Sequence, residues 1–132
     1  MTTLYRSNAS RLKEHWQGIM DERSRRIAEN FFWNGQRFDY SAESKARITG
    51  AASLAGFKLL QPIPPIGYQW MDGETDFGWI AADNSVVLMT AQECFDFGAA
   101  AAAHERAHIF AAAALKAMDP IPADYTDDSY WP

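Results

Sequence analysis

The chain has 132 residues, a size typical of one globular domain rather than two. Hydrophobic residues make up 48% of it and charged residues 22%, close to the average for folded proteins, which argues against a disordered chain. The net charge of −5 argues against general binding to nucleic-acid backbones, and the single cysteine, Cys94, excludes a disulfide within the chain. The longest weakly polar run, 97–103, is too short to span a bilayer, so we expect no membrane partner either.

The spacing of apolar residues and the helix-start signals predict the long elements of the fold. Ser41 is a candidate N-cap, and residues 90–93, TAQE, match the pattern of a capping box. Alanine-rich and small-residue stripes in the second and third helices predict close packing between helices. The predicted helices cover about residues 8–30, 41–60 and 91–118.

The first helix carries a narrow apolar stripe that includes Leu12, Trp16 and Ile19. Its other faces are mostly charged. A long helix with so narrow a stripe either packs on the rest of its own domain or pairs with a copy of itself, and the sequence leaves both possibilities open.

Two short hairpins are predicted between the helices. Asn34-Gly35, between the aromatic runs of residues 31–39, is a strong signal for a type I′ turn, because both residues tolerate positive φ. A second, irregular hairpin is expected within residues 68–89, where residues 68–71 pair with 77–80 and residues 85–89 form a further strand. Helices packed on small antiparallel hairpins define an α+β fold.

We expect residues 1–118 to form one domain, followed by an acidic, aromatic tail at 119–132. The tail is too short to have its own core and has three aromatic residues, Tyr125, Tyr130 and Trp131. Such a segment docks on another protein, because aromatic side chains provide contact energy at low entropic cost, or folds back on its own domain. Its acidity favours a basic groove on a neighbour.

His104, Glu105 and His108 form the pattern H-E-x-x-H within the third helix. On a helix the two histidines stand one turn apart, as two zinc ligands must, and the glutamate can polarise a metal-bound water. The extended pattern needs Gly and then His at positions 111 and 114, and both are Ala. We therefore expect two solvated surface histidines, no metal and no cofactor, and keep a zinc-dependent peptidase as an alternative.

Three stretches resemble a known family. The most specific features are NG-x-x-FD leading into S-x-ARI-x-GA, and W-x-x-ADN before a short strand. They lie within DERSRRI at 21–27, residues 33–55 and residues 79–118. The chain resembles the family called domain of unknown function 4376, found in tail-fibre, tail and baseplate-associated proteins of tailed bacteriophages. The resemblance spans residues 11–118, with 57–77 resembling an insertion and 119–132 an added tail.

The resemblance brings no catalytic pattern and implies a structural role. We expect a component of a phage tail or baseplate, assembled in the host cytoplasm, that acts as an adaptor or fibre-linked module through contacts with other tail proteins and its own copies. A tail-fibre assembly chaperone absent from the virion is the alternative. The side chains expected at these contacts are Leu12, Trp16, Ile19, Phe31, Trp33, Tyr125, Tyr130 and Trp131.

Overall fold

The computed structural model of the chain describes residues 8–132. Within them the chain forms three α-helices and two separate antiparallel sheets of two strands, which confirms the predicted α+β class. The helices begin within one residue of their predicted starts and end one or two residues early. In chain order the elements are α1 Asn8–Ala28, β1 Phe31–Trp33, β2 Gln36–Phe38, α2 Ala42–Leu59, β3 Gly78–Ile80, β4 Val86–Leu88, α3 Ala91–Lys116 and a short 3-10 helix Asp128–Tyr130.

The first hairpin has the predicted turn. Asn34 has φ 50° and Gly35 has φ 80°, the positive values that a type I′ turn requires. The register pairs Phe31 with Phe38, and both side chains are buried. Phe32, on the opposite face of the strand, is exposed.

The second hairpin joins β3 to β4, with Trp79 opposite Val87. The prediction that residues 68–71 form a strand is wrong. Asp72 closes a turn by accepting hydrogen bonds from the backbone N–H groups of Glu74 and Thr75, so this part of the chain folds as a compact loop instead of a ladder. Trp70 anchors the loop: its ring is buried, and its indole Nε1 donates to the carbonyl of Met89 at 3.0 Å.

Both predicted helix starts are confirmed. The Ser41 hydroxyl accepts from the backbone N–H of Ser44 at 3.3 Å. Thr90 and Glu93 form a reciprocal capping box, in which the Thr90 Oγ1 accepts from the N–H of Glu93 at 3.1 Å and the Glu93 carboxylate accepts from the N–H of Thr90 at 3.0 Å. These local bonds set where α2 and α3 begin.

Contacts divide the described chain into two compact units, a central unit of residues 27–105 and a terminal unit of residues 8–26 and 106–132. The terminal unit brings the last residues of the chain into one apolar cluster with the first helix, because Ile121 and Trp131 pack with Ile19 and Leu115.

The core of the central unit is an aromatic cluster around Phe97 of α3. The Phe97 ring lies 4.7 Å from that of Phe38, 5.3 Å from that of Trp33 and 5.6 Å from that of Trp79, measured between ring centroids. One side chain of α3 therefore contacts both hairpins. This explains how ribbons too small to be stable alone become ordered.

Candidate protein-contact surfaces

In the central unit, two residues of the H-E-x-x-H pattern are engaged by the fold. The His104 ring lies 5.9 Å from that of Phe31 and 5.7 Å from that of Tyr40, measured between ring centroids, and its Nε2 is 3.0 Å from the carbonyl oxygen of Ile27. Glu105 accepts a hydrogen bond from the Tyr40 hydroxyl at 3.0 Å and pairs with the Lys45 ammonium at 2.6 Å. The hydrogen bond from Lys45 lowers the pKa of Glu105. This glutamate is a stable carboxylate with two partners.

His108 is part of the terminal unit and is buried, with 5% of its surface exposed. Its ring stacks on that of Trp131 at a centroid distance of 6.3 Å and an interplanar angle of 22°. The expectation of a solvated histidine at this position is therefore wrong. The reason is that the end of the chain returns to cover this turn of α3, which the local sequence around His108 does not reveal.

Among residues 8–132, no group of three His, Cys, Asp or Glu side chains is arranged to hold a metal ion. Cys94 is free and buried, and burial raises the pKa of its thiol to about 11. A thiol with so high a pKa is a poor nucleophile at neutral pH. Burial in the core therefore leaves Cys94 a packing residue.

The apolar stripe of α1 divides into exposed and buried residues. Leu12 and Trp16 are exposed, at 46% and 43%, and the Lys116 ammonium lies 5.6 Å from the centroid of the Trp16 ring. Ile19 is completely buried and packs with Leu115 in the terminal core. Leu12 and Trp16 are thus available for a contact with another chain, whereas Ile19 is a core residue.

The two hairpin residues expected at a contact belong to the central core. Phe31 is 2% exposed and lies 5.3 Å from Phe97 between ring centroids. Trp33 is half-buried and packs edge-to-face against Phe38 and Phe97. Phe31 is therefore a core residue of the central unit, because the aromatic face of the hairpin covers α3.

The aromatic residues of the tail pack within the terminal unit, so the tail takes the fold-back alternative. Trp131 is buried and donates from its indole Nε1 to the carbonyl of Tyr125 at 2.8 Å. Tyr125 is half-buried and its hydroxyl lies at Gly18, where a Cβ would come within 2.0 Å of it. Tyr130 is half-buried too, and its hydroxyl donates to Asp124 at 3.1 Å.

Arg26 is the polar anchor of the tail. Its guanidinium pairs with Glu22 at 2.6 Å and with Asp128 at 2.7 Å, and donates to the carbonyl of Thr126 at 2.8 Å. The same group lies 5.4 Å from the centroid of the Trp131 ring. The negative charge of the tail is thus partly compensated by a basic residue of the chain itself.

Among residues 8–132, the most exposed large apolar side chains lie where the sequence predicted no contact. Residues 59–71 contain no charged side chain. The proline segment, Gln61-Pro62-Ile63-Pro64-Pro65-Ile66, begins at the residue after the C-cap of α2, since α2 ends at Leu59 and Leu60 is its C-cap. Ile63 is 87% exposed and Ile66 is 93% exposed. The uncharged run and its prolines are visible in the sequence and could have indicated an exposed apolar segment.

A groove lies beside the start of the proline segment. It has a volume of about 470 Å³ and is lined by the second half of α2, its C-cap residue and the beginning of α3. Its lining residues, which define the α2–α3 groove, are Ser53, Gly56, Phe57, Leu59, Leu60, Gln92 and Phe95. A concave surface lined by uncharged residues alone favours an apolar occupant.

The described residues thus define a small α+β protein with exposed apolar surfaces and with its buried polar groups engaged in the fold. Residues 11–129 match the family described as Domain of unknown function (DUF4376), and the chain belongs to this family. The match extends past residue 118, so most of the tail lies inside the family region and is not an addition to it. No curated protein and no solved structure matches the chain.

Across residues 8–132, no helix has both the length and the apolar character needed to cross a membrane.

Proposed function

We propose that this chain is a structural component of a bacteriophage tail or baseplate, an adaptor or fibre-linked module that acts by protein–protein contact. The observation that carries the contact role is the exposed apolar surface at the end of α2, where Phe57 and Leu60 are 72% and 82% exposed. Exposed apolar side chains concentrated in one region mark contact sites, because their burial is favourable. The resemblance to a family found in phage tail proteins supports placing the chain in a phage tail or baseplate.

The proposed role is non-catalytic. The three residues that suggested a peptidase have partners within their own units: His104 contacts a backbone carbonyl, Glu105 a lysine and His108 a tryptophan ring. A hydrolytic site needs such groups to converge on an open position where a substrate can react. Their engagement in packing supports a contact protein over an enzyme.

Quantitative mass spectrometry of virions purified from the phage that encodes the chain tests the proposal. We expect peptides of this chain in a fixed ratio to a tail protein, retained after a high-salt wash. An abundant host cytoplasmic protein measures carry-over. If the chain is present in the lysate but falls to the carry-over level in washed virions, the structural role is wrong and the assembly chaperone takes its place.

A further inference from the structure

We propose that the α2–α3 groove binds the proline segment of a second copy of this chain, and that the second copy accepts the first copy's segment in return. The proposed exchange rests on the proposed function in one respect, namely that the chain acts by protein–protein contact. It identifies the partner as a second copy of the chain. The segment and the groove both belong to the central unit, and Leu60, which lines the groove, directly precedes Gln61 of the segment.

The proline segment exposes both of its isoleucines to solvent. Ile63 and Ile66 are 87% and 93% exposed, and each directly follows a proline. Proline restricts its own backbone and that of the residue before it, so such a segment loses little conformational freedom when it is bound. Two exposed isoleucines on a stiff backbone are suited to insertion into an apolar groove.

The absence of charge in the groove disfavours a charged occupant. The groove lining contains no charged residue, and neither does the proline segment. A charged partner would have to lose its hydration in the groove without an opposite charge to compensate. The chain's own proline segment brings no such cost, because it is apolar and uncharged like the groove.

Hydrogen bonding is compatible with this fit. Pro62, Pro64 and Pro65 have no backbone N–H, so the segment carries few donors that burial would leave unsatisfied. Ser53 and Gln92 are the polar side chains of the groove lining. The Gln92 Nε2 already donates to Asp96 at 3.0 Å, so its second N–H and the Ser53 hydroxyl are the donors that can meet carbonyl oxygens of the segment.

A two-fold arrangement of two copies can cover both surfaces. A protruding segment and a receptive groove next to each other on one surface allow two copies to exchange segments around a two-fold axis. The exchange covers both apolar surfaces at once and leaves no unfilled groove from which further copies could add. The expected assembly is a closed dimer.

Light scattering coupled to size exclusion, run on the full chain over a range of concentrations, tests the dimer. We expect twice the mass of one chain for the wild type. The double variant Ile63→Asp/Ile66→Asp should raise the dimer dissociation constant about tenfold or more, and Leu60→Asp in the groove should do the same. The matched control is the variant Phe110→Asp. The Phe110 side chain lies in the terminal unit and is 58% exposed, so this variant should remain dimeric. Circular dichroism checks that every variant is folded.

Cross-linking tests the exchange directly. A tagged Leu60→Cys chain is co-expressed with an Ile66→Cys chain that carries a different tag, and a short bismaleimide is added to the purified pair. We expect a covalent dimer that contains both tags. Each single variant, treated alone, is the control and should give little product, since Cys94 is buried.

Three results would overturn the inference: a wild-type monomer at every concentration, a dimer that the Ile63→Asp/Ile66→Asp variant leaves intact, or an absence of cross-links between the two tags. A monomer would instead indicate that a different protein covers the groove. These results are independent of the virion measurement, because a monomeric chain found in washed virions would refute the exchange and leave the structural role standing.

Discussion

Gly98 of α3 and Ala52 of α2 face each other so closely that a Cβ built on Gly98 would lie 2.3 Å from the Cβ of Ala52. Real Cβ atoms do not approach to this distance, so glycine is required here by packing. The small-residue stripe of α2 predicts close contact between helices, and the contact between these two residues confirms it. The α2–α3 pair should be especially sensitive to substitution at this point.

Gly98→Ala should therefore lower the free energy of unfolding by about 1–3 kcal/mol, the usual cost of overpacking a core. Gly50→Ala is the matched control: it lies in the interior of α2 with no atom within 4 Å of a built Cβ. It should raise the free energy of unfolding by about 0.5–1 kcal/mol, through helix propensity. Urea denaturation measures both. Equal effects of the same sign would contradict the packing argument.

The stability of the fold should decrease at alkaline pH. Burial raises the pKa of the Cys94 thiol from 9.0 to about 11, and burial together with the hydrogen bond to Glu105 raises that of Tyr40 from 10.0 to about 12. The unfolded chain loses these protons at lower pH than the folded chain does. Stability that is present below about pH 9 is therefore lost progressively as the pH rises toward about 12.

Urea midpoints measured between about pH 8 and about pH 11 should fall with rising pH. Cys94→Ala removes one of the two groups and should flatten the curve, most of all in its lower half. Midpoints that do not change over this range would show that the two groups titrate alike in the folded and unfolded chains.

Trp131 should contribute far more to stability than Asp128, although both contact Arg26. Trp131 is buried, so Trp131→Ala should lower the free energy of unfolding by about 3–5 kcal/mol. The Asp128 side chain is 96% exposed, so Asp128→Asn should cost no more than about 1 kcal/mol. Thermal melting compares the two variants. If Trp131→Ala left the melting temperature unchanged, the fold-back of the tail would be in doubt.

The stripe of α1 should respond to substitution in two different ways. Ile19→Ala removes buried atoms and should lower the free energy of unfolding by about 2–5 kcal/mol. Leu12→Asp with Trp16→Asp changes exposed positions, so the chain should remain folded by circular dichroism. If dimers form through the α2–α3 groove, light scattering should give the double variant an unchanged mass. A loss of mass would point to self-association through α1 instead.

Metal removal should have no effect on the chain. Glu105 is already paired with Lys45, and the Nε2 of His104 lies against a backbone carbonyl. We expect elemental analysis of the purified chain to find less than stoichiometric zinc, and a chelator to leave the melting temperature unchanged. One zinc per chain, lost together with stability when a chelator is added, would restore the peptidase alternative.

Some features of the fold were predictable from short stretches of sequence. The type I′ turn at Asn34-Gly35 and the capping box of Thr90 and Glu93 involve residues at most three positions apart. Their hydrogen bonds and backbone angles depend on those residues alone, so the pattern is sufficient to predict them. The contact surface was only partly predictable: the uncharged run around the proline segment is visible in the sequence, but the exposure of Ile63 and Ile66 is not.

The sequence by itself thus determined the family, the α+β class, the three helices and the first hairpin. Only the tertiary structure decided that Ile19 is core while Trp16 is exposed, that His108 is covered by Trp131, and that the tail folds back. The physical reason is the range of the interactions. Caps and turns are formed by residues close together in the sequence. Burial depends on segments far apart in the chain. The apolar stripe of a helix does not reveal which of its residues those segments will cover.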